Sequence, residues 1–137
     1  QRGTPHALYE EPADLFVVDF IGDANILDVE LENVSSGQAY LMLGGVRLQL
    51  PARGLNKGHA KLAIRPDAVK LSSSGGQLAG IVKKAFFLGR LWEYTIETEL
   101  GALFVTVAGR TAPYPVGTGV TLDFDRAGMV LVPVGKQ

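Results

Sequence analysis

ILDVELENVSSGQAYLMLGGVRLQL, residues 26–50, is the stretch that decides the fold. Leu27, Val29 and Leu31 alternate with Asp28, Glu30 and Glu32. Successive side chains of a strand point to opposite faces, so a period of two describes a strand with one buried and one wet face. Residues 39–43 and 46–50 then flank Gly44-Gly45. Two apolar runs around a glycine pair predict a two-residue hairpin, because its favoured turns need positive φ.

The same style continues downstream. Residues 51–58 read as a polar loop and 59–65 as a strand with Ala60, Leu62 and Ile64 on its apolar side. Pro66 breaks this strand, and Val69 and Leu71 are expected to continue it after a jog, up to a loop tip at 72–76. Residues 78–88 form a long β-run ending at Gly89; Trp92, Tyr94 and Ile96 alternate with Glu93, Thr95 and Glu97. Leu103, Val105 and Val107 follow a turn at Leu100-Gly101. Pro113 and Pro115 mark a loop, after which Val120, Leu122 and Phe124, then Val130, Val132 and Val134, alternate again. Nine or ten short strands with frequent turns predict an all-β barrel or sandwich, and two five-stranded barrels packed side by side suit the count. The chain has 17 glycines, above the usual ~7% of positions, as a fold of many turns requires.

Upstream, residues 8–25 (LYEEPADLFVVDFIGDAN) have a different period. Phe16, Val17, Phe20 and Ile21 fall on one helical stripe, Pro12 suits a first helical turn, acids flank that turn, and Gly22 supplies a stop. A short amphipathic helix is predicted here, with either the domain's own sheet or a neighbouring domain as the surface for its stripe.

At 137 residues the chain suffices for one domain that buries roughly two-thirds of its surface. A net charge of −1 provides no basic field for nucleic acid or an anionic membrane. The absence of cysteine excludes disulfides, thiolate zinc sites and thiol nucleophiles, and agrees with a cytoplasmic home. No apolar run approaches the ~18 residues of a membrane span.

Several boxes then resemble one family. Gln1, Gly3, Thr4, Pro5, Leu8, Tyr9, Pro12, Phe16, Val17, Phe20, Ile21, Gly22 and Asn25 match the passage from the nucleotide-binding domain into the C-terminal domain of bacterial ABC-importer ATPases, with Val18 where the family more often has Ala. Leu62-Ala63-Ile64-Arg65-Pro66-Asp67 resembles the family's L-x-I-R-P-E box, with Asp for Glu. Gly80-x-Val82, Phe87-Leu88-Gly89 and Tyr94 resemble its G-x-V, F-L-G and Y positions, and Gly119-Val120 with Leu122-x-Phe124-Asp125 its closing strand. The chain is identified as a member of the transport-associated OB (TOBE) domains. Asp23-Ala24-Asn25-Ile26-Leu27 is closer to the iron(III), polyamine and phosphonate branch than to the carbohydrate branch.

The resemblance implies a mainly β fold of OB-like lobes preceded by one short N-terminal helix. Residues 1–25 would be the linker and connecting helix from an ATPase domain lying outside this sequence. Residues 26–137 would be the regulatory domain, in two lobes at about 26–76 and 77–137. It implies a non-catalytic regulatory and dimerisation module of an importer's ATP-binding subunit. The module would form a homodimer, meet the permease through its parent, and lie in the cytoplasm at the inner face of the membrane without inserting into it. The chain opens in the middle of the resembled pattern, so it is expected to be part of a longer protein. Arg65, Pro66 and Asp67, with Phe16, Phe20, Phe87 and Gly89, are the interface and regulatory candidates. Related domains bind oxyanions such as molybdate, which makes a small-ligand module the alternative, with Lys61, Lys70 and Ser72 as anion donors.

The chemistry of the residues points the same way. A phosphate loop needs Lys and Ser/Thr after its glycines, and after Gly75–Gly80 this chain has Ile81 and Val82. No cofactor is therefore expected in this chain; ATP and Mg²⁺ belong to the ATPase domain. His6 and His59 are far apart, and no G-x-S-x-G elbow is present. Phe86, Phe87, Trp92 and Tyr94 resemble a base-stacking platform, but Lys83, Lys84 and Arg90 make a short positive track, so core packing is expected for these aromatics and no nucleic-acid partner. Arg65 is expected to tie down the jog at Pro66 through a carboxylate or carbonyls; the resemblance alternatively implies a place where lobes or subunits meet, where a buried arginine with bidentate partners fixes the junction.

Overall fold

The computed structural model of the chain describes residues 24–109 and 114–133. The predicted helix over residues 8–22, with Phe16 and Phe20, lies outside them.

Ten strands follow in order: β1 (Asn25–Ser35), β2 (Gln38–Leu43), β3 (Val46–Pro51), β4 (Gly58–Ile64), β5 (Val69–Ser72), β6 (Leu78–Phe87), β7 (Leu91–Thr98), β8 (Gly101–Ala108), β9 (Gly119–Phe124) and β10 (Met129–Val132). The hairpin at Gly44-Gly45 forms as expected: Leu43 pairs with Val46, and Gly44 has φ +64°, the left-handed region that glycine occupies without strain. On β1, Val29 and Leu31 are buried while Asp28 and Glu30 are exposed. The wet face carries an ion pair, Lys61 Nζ to Asp28 Oδ1 at 2.6 Å, and beside it His59 Nδ1 lies 3.2 Å from Glu30 Oε1.

The strands form two five-stranded sheets, β10-β4-β1-β2-β3 and β5-β9-β6-β7-β8. In the first, edge strands β3 and β10 approach each other; in the second, β5 and β8 do. Each sheet thus curls towards a closed barrel, which shields its edges. The inner faces meet in one continuous apolar core running from Leu31, Leu62 and Leu131 to Ile96, Leu103 and Leu122. The architecture is the mainly β, OB-like one expected.

Strand membership departs from chain order. Val69 and Leu71 do not continue the strand broken at Pro66. A short 3₁₀ turn, Pro66–Ala68, carries the chain into the second sheet, where β5 pairs with β9. A matching turn, Arg126–Gly128, returns the chain to the first sheet, where β10 pairs with β4. The halves on either side of residue 76 therefore exchange their last strands. The chain is redirected in the same way at both places, by a three-residue 3₁₀ turn that Pro66 opens in one case and the Asp125 side chain caps in the other.

Candidate functional site

The two crossings are built alike. Ile64-Arg65-Pro66-Asp67-Ala68-Val69 and Phe124-Asp125-Arg126-Ala127-Gly128-Met129 each run from strand through turn to strand. Arg65 N–H donates to Gly128 O at 2.9 Å, and Asp125 N–H donates to Ala68 O at 2.8 Å. Within each turn Ala68 N–H donates to Arg65 O and Gly128 N–H to Asp125 O. The reciprocity has the form of a local two-fold, with Ala68 and Gly128 facing across it. A Cβ placed on Gly128 would stand 2.5 Å from Ala68 Cβ, so glycine here permits a close approach of two backbones. Asp125 Oδ1 also accepts from Ala127 N–H at 3.0 Å, capping its turn.

Around this crossing lies a cleft of about 320 Å³ lined by Arg65, Asp67, Ala68, Asp125, Ala127 and Gly128. The structure therefore puts the Arg65-Pro66-Asp67 box at the meeting of the two sheets. Of the two places expected for its side chain, Arg65 takes the one that ties the jog through a carboxylate, not the buried one. The Arg65 side chain is about half exposed and its Nε donates to Asp67 Oδ1 at 3.2 Å, while the backbone N–H of the same residue makes the bond between the turns.

The aromatic residues form a graded row. Tyr94 is buried, and its hydroxyl accepts from Tyr114 N–H at 3.0 Å. Trp92 stacks on Tyr94 with ring centres 6.3 Å apart, and Phe87 leans on Trp92 at 5.0 Å. Phe86, Phe87 and Leu88 are exposed, against the expectation that Phe86 and Phe87 pack in the core. The cause lies in the strand: β6 bulges between Val82 and Lys84 and runs out past the barrel to a turn at Gly89, whose φ is +91°. Phe87 and Gly89 thus sit together at the end of one hairpin, away from the Arg65 cleft in register.

The expected anion donors divide between the two sheets, and Lys61 and Ser72 are already hydrogen-bonded within the chain. Lys61 lies on β4 of the first sheet, bonded to Asp28. Lys70 lies on β5 of the second, opposite Asp123. Ser72 Oγ is 2.9 Å from Thr121 Oγ1 and bonds Ser74 O, and Gly76 N–H donates to the same Thr121 oxygen. The Asp28 carboxyl is held below its ordinary pKa, first by the hydrogen bond from Lys61 and then by its charge. Among the described residues no cluster of His, Cys, Asp or Glu could hold a metal ion, and no helix is long and apolar enough to cross a membrane.

One residue of structural weight escaped reading on its chemistry. Asn25 is buried at the start of β1. Its Nδ2 donates to Phe104 O at 2.9 Å and Ile64 O at 3.3 Å, and its Oδ1 accepts from Phe104 N–H at 2.7 Å. It therefore satisfies both backbone groups of one residue of β8 and ties the second sheet to the first. The signal in the sequence was its place in the N-terminal pattern, which carried no role.

Comparison with known proteins agrees with this architecture. The model of the TOBE domain family matches residues 62–132, from β4 through both crossings to β10. The Fe(3+) ions import ATP-binding protein FbpC of Rhizobium etli is 39% identical over 133 residues, 96% of this chain and 38% of that protein. The spermidine/putrescine import ATP-binding protein PotA of Ruegeria pomeroyi is 36% identical over 107 residues, 77% of this chain and 29% of that protein. The chain thus spans well under half the length of these relatives. Among solved structures, the cytoplasmic molybdate-binding protein ModG superposes with a TM-score of 0.66 at 19% identity, covering 80% of this chain and 95% of that one, a likeness of fold. With the family's model running through both crossings, over more than half of its residues, the chain belongs to the TOBE-domain family.

Proposed function

We propose that this chain is the non-catalytic regulatory and dimerisation domain of the ATP-binding subunit of an ABC importer. The observation that carries the reading is the match of 96% of the chain to ATP-binding subunits of which it spans 38%. The geometry supports a tether. Reciprocally bonded crossings and the Asn25 clamp make a body whose parts hold one another, and the hairpin end at Phe86, Phe87 and Leu88 offers exposed apolar surface for a second copy. A persistent contact of this kind raises the effective concentration of the attached ATPase domains for each other. The solute is an iron(III) or polyamine-like cargo by the names of the relatives, and the permease is the partner reached through the parent protein at the inner face of the membrane.

The test is deletion of residues 26–137 from the ATP-binding subunit that carries them. Nucleotide-free dimerisation is expected to weaken at least tenfold; undiminished dimerisation would overturn the proposal. The second reading, an oxyanion module, draws on the fold shared with a molybdate-binding protein. The engagement of Lys61 with Asp28 and Ser72 with Thr121 favours the tether. Titration calorimetry with molybdate, tungstate, phosphate and sulfate separates the two, since heat with any anion would restore the second reading.

A further inference from the structure

The strands of the first sheet are joined by main-chain ladders except at the seam where its two edges meet. Neighbours pair antiparallel along β10-β4-β1-β2-β3, so β3 and β10, at opposite ends of this order, run parallel. They approach each other without sharing a ladder. Two arginines span the gap. Arg53, in the turn after β3, donates from Nη1 to Leu131 O of β10 at 2.8 Å. Arg126, in the turn before β10, donates from Nη1 to Gln49 O of β3 at 3.4 Å. Each strand thus gives a carbonyl to a side chain from the turn beside the other.

The main chain explains why side chains do this. Residues two apart on a strand direct their N–H and C=O groups to the same side. Pro51 therefore shares the seam side with Gln49, and it has no N–H to offer. On β10, Leu131 O faces the seam, so Val130 and Val132 turn their polar groups to β4. The register joins β3 to β2 through six residue pairs, and β10 to β4 through four. Arg53 also has φ +52°, the left-handed region that a side chain with a Cβ occupies under strain. Such a conformation persists where the surroundings over-determine it, and Arg53 is held by its bond across the seam.

We propose that Arg53 and Arg126 form a side-chain latch on β10, and that β10 detaches as a unit while the rest of the fold stays folded. Detachment runs back to the turn Arg126–Gly128 and breaks the bond from Arg65 N–H to Gly128 O. The latch therefore acts on the cleft at the meeting of the two sheets from outside that cleft. All of this takes place within one chain, apart from any contact with a second copy.

The test is amide exchange of the 137-residue chain, followed by NMR at urea concentrations below the unfolding transition. Exchange through a local opening exposes little surface and depends weakly on urea; exchange through global unfolding carries the full slope. The amides of Val130 and Val132 are expected to show about a third or less of the slope of Val82 and Ile96, which lie in the core of the second sheet. Arg53→Gly removes the latch while glycine accepts the same φ. It should speed exchange at Val130 and Val132 about tenfold without urea, as the loss of a hydrogen bond from a charged donor does. Arg47→Ala takes a cation from β3 that makes no bond across the seam among the described residues, and should leave both rates at the parent's. The full global slope at Val130 and Val132 in the parent chain would overturn the proposal. So would unchanged exchange in Arg53→Gly, or an equal gain in Arg47→Ala.

Discussion

Gly128→Ala tests the crossing on which the architecture depends. The substituted Cβ would sit 2.5 Å from Ala68 Cβ, where apolar carbons rest at about 3.5–4.0 Å. Gly128 does not have a positive φ, so its backbone accepts alanine. At such a site the exchange would ordinarily stabilise by about 0.4–1 kcal/mol through the unfolded chain. The clash decides the sign. Neither methyl can rotate away, because Ala68 and Gly128 lie in turns bonded to each other through Arg65 N–H to Gly128 O and Asp125 N–H to Ala68 O. Separating the turns by the missing ångström stretches both bonds. Overpacking costs about 1–3 kcal/mol, and each hydrogen bond lost adds about 0.5–1.5 kcal/mol. Denaturant unfolding is therefore expected to show a loss of about 2–4 kcal/mol at an unchanged m-value. Ala68→Gly removes the opposing methyl and alone should cost about 1 kcal/mol. Combined, the two move the methyl to the other side of the local two-fold. The double variant should be more stable than Gly128→Ala alone, which requires a coupling larger than the ~1 kcal/mol that Ala68→Gly costs by itself. A stable Gly128→Ala, or strict additivity of the pair, would refute the reasoning.

Three further outcomes follow from individual residues. Asn25→Ala leaves Phe104 N–H and O without their side-chain partner and should cost about 2–4 kcal/mol; denaturant unfolding and faster amide exchange at Phe104 would show it, and a loss below ~0.5 kcal/mol would contradict the clamp. Tyr94→Phe removes the acceptor of Tyr114 N–H while keeping the stack on Trp92 and the edge contact with Tyr114, and about 0.5–1.5 kcal/mol should be lost with quicker exchange at Tyr114. Asp28, held below the usual carboxylate range by Lys61, contributes to stability above its unfolded pKa and loses that contribution as pH falls through the lowered folded value. Its carboxyl signal in an NMR titration should therefore move at lower pH than an ordinary aspartate's, and Lys61→Ala should raise the midpoint; an unmoved midpoint would deny the pairing.

Much of the fold was legible in residues 26–50 because side-chain alternation is local and a glycine pair specifies its own turn. The same logic located nearly every strand, and the family boxes located the Arg65 crossing. Partner choice was not legible. Val69 and Leu71 have the right period for a strand, but four residues of alternation are silent about which sheet they join. Only the likeness between 64–69 and 124–129, small residue facing small residue, marks the exchange, and it is plain once the reciprocal bonds are seen. Phe86 and Phe87 were misplaced for a related reason: period assigns a face, and it cannot tell where a strand outruns the barrel beneath it. Asn25 was opaque because its partners, Ile64 and Phe104, are distant in sequence and contribute backbone atoms that carry no residue code.

The proposed tether requires two copies of the domain to associate. Sedimentation equilibrium on the 137-residue chain, from micromolar to near-millimolar concentration, tests it most directly. A reversible monomer–dimer equilibrium is expected, which Phe87→Ser shifts towards monomer by about tenfold or more, a change of about 1.4 kcal/mol in association. A single monomeric species throughout that range, with Phe87→Ser indistinguishable from the parent chain, would contradict it.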